Sequence, residues 1–387
     1  MILIILFRIL AILVPKIVLF SLYLTAPFHL AKSPTREHQL DMKATNGFCG
    51  AIGNTPLIRL DSLSDTTGCE ILGKAEFLNP GGSVKDRAAL GIVEDAERRG
   101  LLKPGGTIVE GTAGNTGIGL TLVGNAKGYR TIIVIPNDQS PEKLELLRAI
   151  GAEVRPVPPA PYKEPHNYNK IAARIADEME NAFWANQFDN TANAQIHYAT
   201  TGPEIWEQTD GKISAFVAAV GTGGTLAGVS RFLKDQSESV ATYCADPYGA
   251  AMWSWFKYGH FDFDDGDSVA EGIGQGRVTE NVESARVDDA FRVSDRQMMA
   301  TLNILLKDEG LLLGPSAGVN VCGALKVALA GGPGQTIVTI LCDGAQRYSS
   351  RLFNQEWLAE NDLSPENLSL EELLIHLKDD QNEPSEK

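Results

Sequence analysis

Thr107-Ile108-Val109-Glu110-Gly111-Thr112-Ala113-Gly114-Asn115-Thr116-Gly117 reads as a short apolar strand over Thr107–Glu110, a glycine-bearing turn, and a helix opening near Thr116. A strand feeding straight into a helix is half of a parallel-sheet unit, because parallel neighbours need a long crossover between them. The same grammar extends in both directions. Upstream, Ile71 to Phe77 reads as a strand and Ser83 to Arg99 as a helix. Downstream, Thr131–Ile135 (TIIVI) is apolar on both faces, as a strand covered on both sides should be. Glu142–Ile150 then reads as a helix and Glu153–Val157 as a strand, and helices are expected near Asn169–Met179 and Ala194–Gln208. Ser214–Val220 (SAFVAAV) is a second buried strand ending at a glycine-rich turn, and Thr242–Ala245, Arg292–Val293 and Thr336–Leu341 complete the strands. The alternation predicts an α/β protein with mostly parallel sheets. Its 387 residues suffice for two packed lobes or one large body.

Composition narrows the function. A formal charge of −15 with scattered Lys and Arg argues against a nucleic-acid surface, which needs clustered cations. It does not argue against a small anionic ligand, since backbone amides and a helix N-terminus create positive potential locally. Cys49, Cys69, Cys244, Cys322 and Cys342 include no C-x-x-C pair, so neither a disulfide framework nor a zinc site is expected. Met1–Leu24 is an apolar run about as long as a bilayer span of ~20 residues, broken by Arg8 and Pro15-Lys16. Residues 1–30 are therefore expected to be an anchor or targeting segment, with residues 1–24 in the membrane. Lys32, Arg36 and Lys43 would leave the body on the cytosolic side, as on a mitochondrial outer membrane, with a soluble mitochondrial or cytoplasmic protein as the alternative. Residues 31–48 read as a linker, 49–360 as the globular body, and 361–387 as an acidic tail outside the core.

Four turns carry the candidate chemistry, each at the carboxyl end of an expected strand or at a helix start, the edge where open α/β sheets bind ligands. In Asn79-Pro-Gly-Gly-Ser83-Val-Lys85-Asp-Arg87, Ser83 is a candidate N-cap and Lys85 falls in the first helical turn. A free cation is disfavoured there by the helix dipole, and linkage to an anionic cofactor would remove the conflict; an exposed helix lysine is the plain alternative. In Thr112-Ala113-Gly114-Asn115-Thr116-Gly117, amides and hydroxyls could grip a carboxylate, or the glycines and Asn115 could merely shape the turn. Gly221-Thr222-Gly223-Gly224-Thr225 lets several N–H groups converge on a phosphate. It matches neither a Walker A loop nor G-x-G-x-x-G, because Leu226 stands at the sixth position. In Gly314-Pro-Ser316-Ala-Gly318, Ser316 could serve only as a helix N-cap.

Taken in order, and with Ile52-Gly-Asn-Thr-Pro-Leu57, Asn186-Gln187-Phe-Asp-Asn190 and Glu271-Gly-Ile-Gly274, these turns resemble the cysteine synthases and cystathionine β-synthases. These are pyridoxal-phosphate (PLP) enzymes of fold type II, and the likeness runs from Ile52 to about Asn354. The resemblance implies two lobes, each a mostly parallel sheet flanked by helices, with the smaller lobe at about residues 88–190, and a homodimer. It implies that Lys85 carries the cofactor and acts as base, that Asn115 meets its ring oxygen, that Gly221, Thr222, Gly223, Gly224 and Thr225 hold its phosphate, and that Ser316 faces its pyridine nitrogen. Thr112, Gly114, Thr116 and Gln187 would hold the α-carboxylate of a small amino acid. The expected reaction replaces the acetoxy group of O-acetyl-L-serine by sulfide. Cysteine desulfhydration, releasing sulfide, pyruvate and ammonia, is the alternative, and a non-catalytic membrane-tethered relative a distant one. Two departures bear on that choice: Ala113 stands where most synthases have serine, and the proline-rich loop over Pro158–Pro165 is longer than in compact synthases.

Overall fold

The computed structural model describes residues 44–382, apart from Ala113, Ser140, 263–265, Phe353 and 364–367. The expected membrane segment and Ala113 therefore lie outside the described residues. Among the described residues, no helix is long and apolar enough to cross a membrane.

Two sheets organise the body. The smaller has four strands in the order β5-β4-β3-β6, with β3 at Thr107–Gly111, β4 at Arg130–Pro136, β5 at Glu153–Val157 and β6 at Ala182–Trp184. All its pairings are parallel; β3 meets β4 with Glu110 opposite Ile133, and meets β6 with Val109 opposite Trp184. The larger has six strands in the order β1-β2-β10-β7-β8-β9: Leu57–Arg59, Glu70–Lys74, Thr336–Ile340, Ala215–Ala218, Ala241–Pro247 and Asp289–Val293. Its pairings are parallel except β1 with β2. The body is α/β with mostly parallel sheets.

Period-two alternation explains why both faces are covered. In β4, Ile132 and Val134 pack with Ala172 and Ala176 of the helix Tyr168–Glu178, while Ile133 and Ile135 pack with Ile118 and Leu147 on the opposite side. In the larger sheet, Ala215, Val217 and Ile337 face the buried helix Pro315–Gly331, whereas Phe216, Val338 and Ile340 face Leu226, Val229 and Leu233 of the helix Gly224–Gln236. Strands buried on both faces need apolar residues at every position, hence TIIVI and SAFVAAV.

Several expectations need correction. The chain after residue 360 is not all outside the core: Leu370–Asn382 is a helix whose Leu370, Leu373, Leu374 and Leu377 join the main core cluster. Its acidic residues had masked a leucine spacing of three and four, which puts one apolar stripe against the body. Ser83 is not the N-cap of the Lys85–Arg98 helix; Val84 holds that position, although Ser83 Oγ accepts the Lys85 N–H at 3.2 Å. Ser316 is not a cap either, because Gly314 is the cap and Pro315 opens the helix. The strand expected over Ile71–Phe77 stops at Lys74 and gives way to a 3-10 turn, Glu76–Leu78.

Candidate active site

The turn before Lys85 is held on both sides. Gly81 N–H donates to Asp86 Oδ2 at 2.6 Å and Gly82 N–H to Asn79 O at 2.7 Å, while Val84 N–H donates to Cys342 O at 2.9 Å. A Cβ on Gly81 would fall 2.5 Å from Asp86 Oδ1, so only glycine lets the carboxylate close the turn. Beneath Lys85 lies a buried ionic cluster. Arg87 grips Glu76 through Nε and Nη2, both at 2.8 Å, and Glu204 through Nη1 and Nη2, both at 2.7 Å. Lys74 Nζ adds a 2.7 Å contact to Glu204, so two cations and two carboxylates balance. Burial raises the Glu204 carboxyl, but the hydrogen bonds and charge of Arg87, with Lys74, outweigh it and hold the group at about 2.

The second turn follows β3. Thr112 N–H bonds Val134 O at 3.0 Å and Gly114 N–H reaches Thr112 Oγ1 at 3.3 Å, which folds the chain back into the helix Asn115–Lys127. Thr116 Oγ1 donates to Gln187 Oε1 at 2.5 Å, linking this turn to the loop after β6. Asn115 is gripped at both ends: its Nδ2 donates to Asp343 Oδ2 at 2.7 Å, and Arg347 Nη1 donates to its Oδ1.

The third turn, after β7, is packed so tightly that side chains are excluded. A Cβ on Gly221 would sit 2.4 Å from Gly272 O, one on Gly223 2.3 Å from Val282 Cγ2, and one on Gly224 2.1 Å from Asn193 Oδ1. Gly223 also has φ +90°, a conformation that costs glycine little. Asn193 Nδ2 donates to Thr222 Oγ1 at 2.8 Å, and Thr279 Oγ1 donates to Thr222 O at 2.8 Å. Thr225 Oγ1 lies 3.2 Å from His197 Nε2, whose ring burial keeps neutral, with Arg87 and Lys85 pushing the same way. The loop thus opens a 13-residue helix whose first N–H groups lack intrahelical partners, an arrangement suited to a dianionic phosphate.

Around one cavity of about 590 Å³, the structure gathers Lys85, Thr112, Gly114, Asn115, Thr116, Gln187, Gly221, Thr222, Gly223, Thr225 and Ser316. Gly224 is the one candidate that does not line it; it opens the Gly224–Gln236 helix behind the turn. Cys342 also lines the cavity; its thiol accepts from Asn320 Nδ2 at 3.3 Å, and burial pushes it up to about 11 and so keeps it protonated. The cavity suits a cofactor plus a small substrate. PLP fits the residues present: an amine for its aldehyde, a glycine cradle for its phosphate, an amide and a hydroxyl for its ring. Among the described residues no cluster of His, Cys, Asp and Glu suits a metal.

Sequence reasoning missed the residues that support these turns. Asp343 stands three residues beyond the end of β10, is fully buried, and also accepts Tyr348 OH at 2.6 Å. Arg347 follows one turn later and donates to Gly81 O as well as to Asn115. An acid placed at the carboxyl edge of an apolar strand was a readable signal. Glu110 has the same signal inside β3: it is fully buried, neither oxygen makes a hydrogen bond among the described residues, and burial lifts its pKa to about 8. At the mouth, Glu271 accepts from Lys143 and, at 2.9 Å, from Arg351. These long-range partners leave no local pattern.

Comparison with known proteins agrees with this geometry. The profile of the family "Pyridoxal-phosphate dependent enzyme" matches residues 49–343. Cysteine synthase 1 of Neurospora crassa is 55% identical over 321 residues, covering 82% of this chain and 85% of the relative. Cysteine synthase 1 of Emericella nidulans is 54% identical over 322 residues, covering 82% and 87%. Among solved structures, the O-acetylserine dependent cystathionine beta-synthase of Helicobacter pylori superposes with a TM-score of 0.72 at 32% identity, covering 80% of this chain and 99% of that one. A profile spanning most of the chain, relatives above half identity and a shared two-sheet body leave one assignment: the chain belongs to the PLP-dependent enzymes of the cysteine synthase and cystathionine β-synthase family, and PLP is its cofactor.

Proposed function

We propose that this enzyme is a cysteine synthase, converting O-acetyl-L-serine and sulfide into L-cysteine and acetate. The observation that carries the reading is the convergence of Lys85, the Asn115 turn and the Gly221–Thr225 turn on one cavity, in a chain 55% identical to a cysteine synthase. When bound, PLP supplies an electron sink for the substrate's α-carbon. The protein's share is orientation and proton handling. Gly221, Thr222, Gly223 and Thr225 hold the phosphate while Gly224 opens the helix behind them, and Asn115 and Ser316 address the ring. A serine hydroxyl, unlike a carboxylate, does not enforce protonation of the ring nitrogen. Thr112, Gly114, Thr116 and Gln187 bind the α-carboxylate, which presents the Cα–H to the Lys85 amine as general base.

Cysteine desulfhydrase is the second reading, favoured by Ala113, which removes a hydroxyl from the carboxylate-binding turn. A lost hydrogen bond of about 0.5–1.5 kcal/mol would retune substrate choice without abolishing activity. Purified enzyme given O-acetylserine with sulfide, and separately cysteine alone, distinguishes them. Cysteine formation as the faster reaction is expected; faster release of sulfide and pyruvate from cysteine would reverse the assignment. A homodimer and a membrane anchor at residues 1–24 are separate proposals, the latter supported by apolar sequence alone. Full-length protein released by alkaline carbonate would remove the anchor.

A further inference from the structure

The Asn115 amide is the one candidate cofactor ligand held at both ends by charged side chains. Its Oδ1 accepts from the Arg347 guanidinium, and its Nδ2 donates to Asp343 Oδ2 at 2.7 Å. The opposite orientation would set donor against donor at Arg347 and acceptor against acceptor at Asp343, so the amide cannot flip without losing both bonds. Asp343 is itself fixed: it is fully buried, its Oδ2 also accepts Tyr348 OH at 2.6 Å, and its backbone bridges to Ser83 beside the lysine turn and accepts Gly314 N–H beside the serine turn. Its Oδ1 packs so close to Gly314 that a Cβ there would come within 2.2 Å. Arg347 is tied down in turn by Gly81 O. The second N–H of the Asn115 amide has no acceptor among the described residues, and Asn115 and Arg347 both line the cavity.

We propose that Asp343 and Arg347 are positioning residues that clamp the Asn115 amide as an obligatory donor to the cofactor's ring oxygen, and so favour the anionic form of that oxygen. The proposal rests on the reading of Asn115 as the ring-oxygen ligand. A free asparagine could offer either its N–H or its carbonyl, and would discriminate weakly between a hydroxyl and an oxyanion. A clamped one offers only N–H. Because Asp343 touches three of the four turns, the clamp also ties the setting of the amide to the assembly of the site.

The test is spectroscopic and independent of turnover. The PLP-loaded full chain is titrated with pH while its near-visible absorption band is followed, in the wild type and in Asn115→Ala, Arg347→Met, Asp343→Ala and the Asn115→Ala/Arg347→Met double variant. Loss of one charge-assisted donor should move the midpoint up by about one pH unit in Asn115→Ala. Arg347→Met and Asp343→Ala should move it in the same direction by at least half as much, and the double variant should match Asn115→Ala alone. Unchanged midpoints in both clamp variants, with Asn115→Ala shifted, would overturn the clamp and leave the Asn115 reading standing. An unshifted Asn115→Ala would remove that reading and the clamp with it. Should Asp343→Ala fail to fold, as judged by circular dichroism, Arg347→Met and the double variant decide alone.

Discussion

Two sets of buried charges flank Lys85, and they are built on opposite principles. In the cluster beneath it, Arg87, Glu76, Glu204 and Lys74 pair with one another at 2.7–2.8 Å. Glu110, Asp86 and Asp343 stand within two residues of cavity-lining positions without lining the cavity themselves, and each keeps at least one oxygen without a hydrogen bond among the described residues. Burying an unpaired carboxylate is expensive, so these groups shift toward the protonated form: Glu110 to about 8, Asp86 to about 6, and Asp343 upward, with burial as the main cause in each. Where the chain needs rigidity it spends its charges on itself. Beside the ligand-binding turns it instead leaves buried acids unpaired.

Lys85 sits at the boundary, and removing it should produce the largest effect. Lys85→Ala takes away the cofactor's amine and the base together, so turnover should fall by at least about 10⁴-fold. The cluster below is untouched, so the unfolding midpoint of the cofactor-free protein should hardly move. Steady-state kinetics beside urea denaturation measures both; a collapse of stability would make Lys85 part of the lower cluster instead. Arg87→Met reverses the pattern. It strands the buried Glu76, leaves Glu204 to Lys74 alone, and should cost about 3–5 kcal/mol of stability in urea unfolding. A loss below about 1 kcal/mol would show that Glu76 and Glu204 are relieved by protonation or water, and the contrast would weaken.

The two regions were not equally readable. Turns rich in Gly, Asn, Ser and Thr after apolar strands announce themselves, because backbone freedom and hydroxyl donors are local properties of the sequence; Lys85, Asn115 and Gly221–Thr225 stand out as candidates that way, and the family resemblance supplies their expected roles. Strands buried on both faces were equally plain from runs such as Thr131–Ile135. The three-residue strands Leu57–Arg59 and Ala182–Trp184 were missed, because so short a segment takes its conformation from the neighbour it pairs with. The ionic cluster was invisible for the same reason. Arg87 reaches Glu204 across 117 positions and Asn115 reaches Asp343 across 228, so no window of sequence contains either pair. The tail misleads in the opposite sense: its acids dominate the composition and hide the spacing of Leu370, Leu373, Leu374 and Leu377.

The contrast also has a sign in pH. Glu204 is held at about 2 against an ordinary value of 4.5, so its contribution to stability is present above pH 4.5 and is lost as pH falls toward 2. Glu110 runs the other way. Its folded value of about 8 means the native state binds the extra proton, so stability is full below pH 4.5 and declines as pH rises through 8. Asp246, lifted by burial to about 7, adds to the same decline. Urea midpoints of the cofactor-free protein from pH 5 to 9 should therefore fall with rising pH, and Glu110→Gln should remove roughly 2–4 kcal/mol of that fall while leaving the acid limb unchanged. A variant whose alkaline limb matches wild type would mean that Glu110 is ionised in the fold and paired by water.

The smallest effect should come from outside both regions, where a surface contact steadies the pocket without entering it. Tyr162, at the tip of the proline-rich loop, covers the Arg277 guanidinium 4.6 Å from its ring centroid. Arg277 in turn holds Asp189 through two bonds of 2.9 and 2.8 Å, two residues after Gln187. An exposed cation–π contact is worth about 0.5–1 kcal/mol, and here it acts through two intervening residues. Tyr162→Ala should therefore raise KM for the amino-acid substrate about two- to fivefold with kcat unchanged, and Tyr162→Phe should restore the wild-type value. That split follows from a loop that only orders the Gln187 turn. Equal changes in kcat and KM would instead make the loop a working wall of the site.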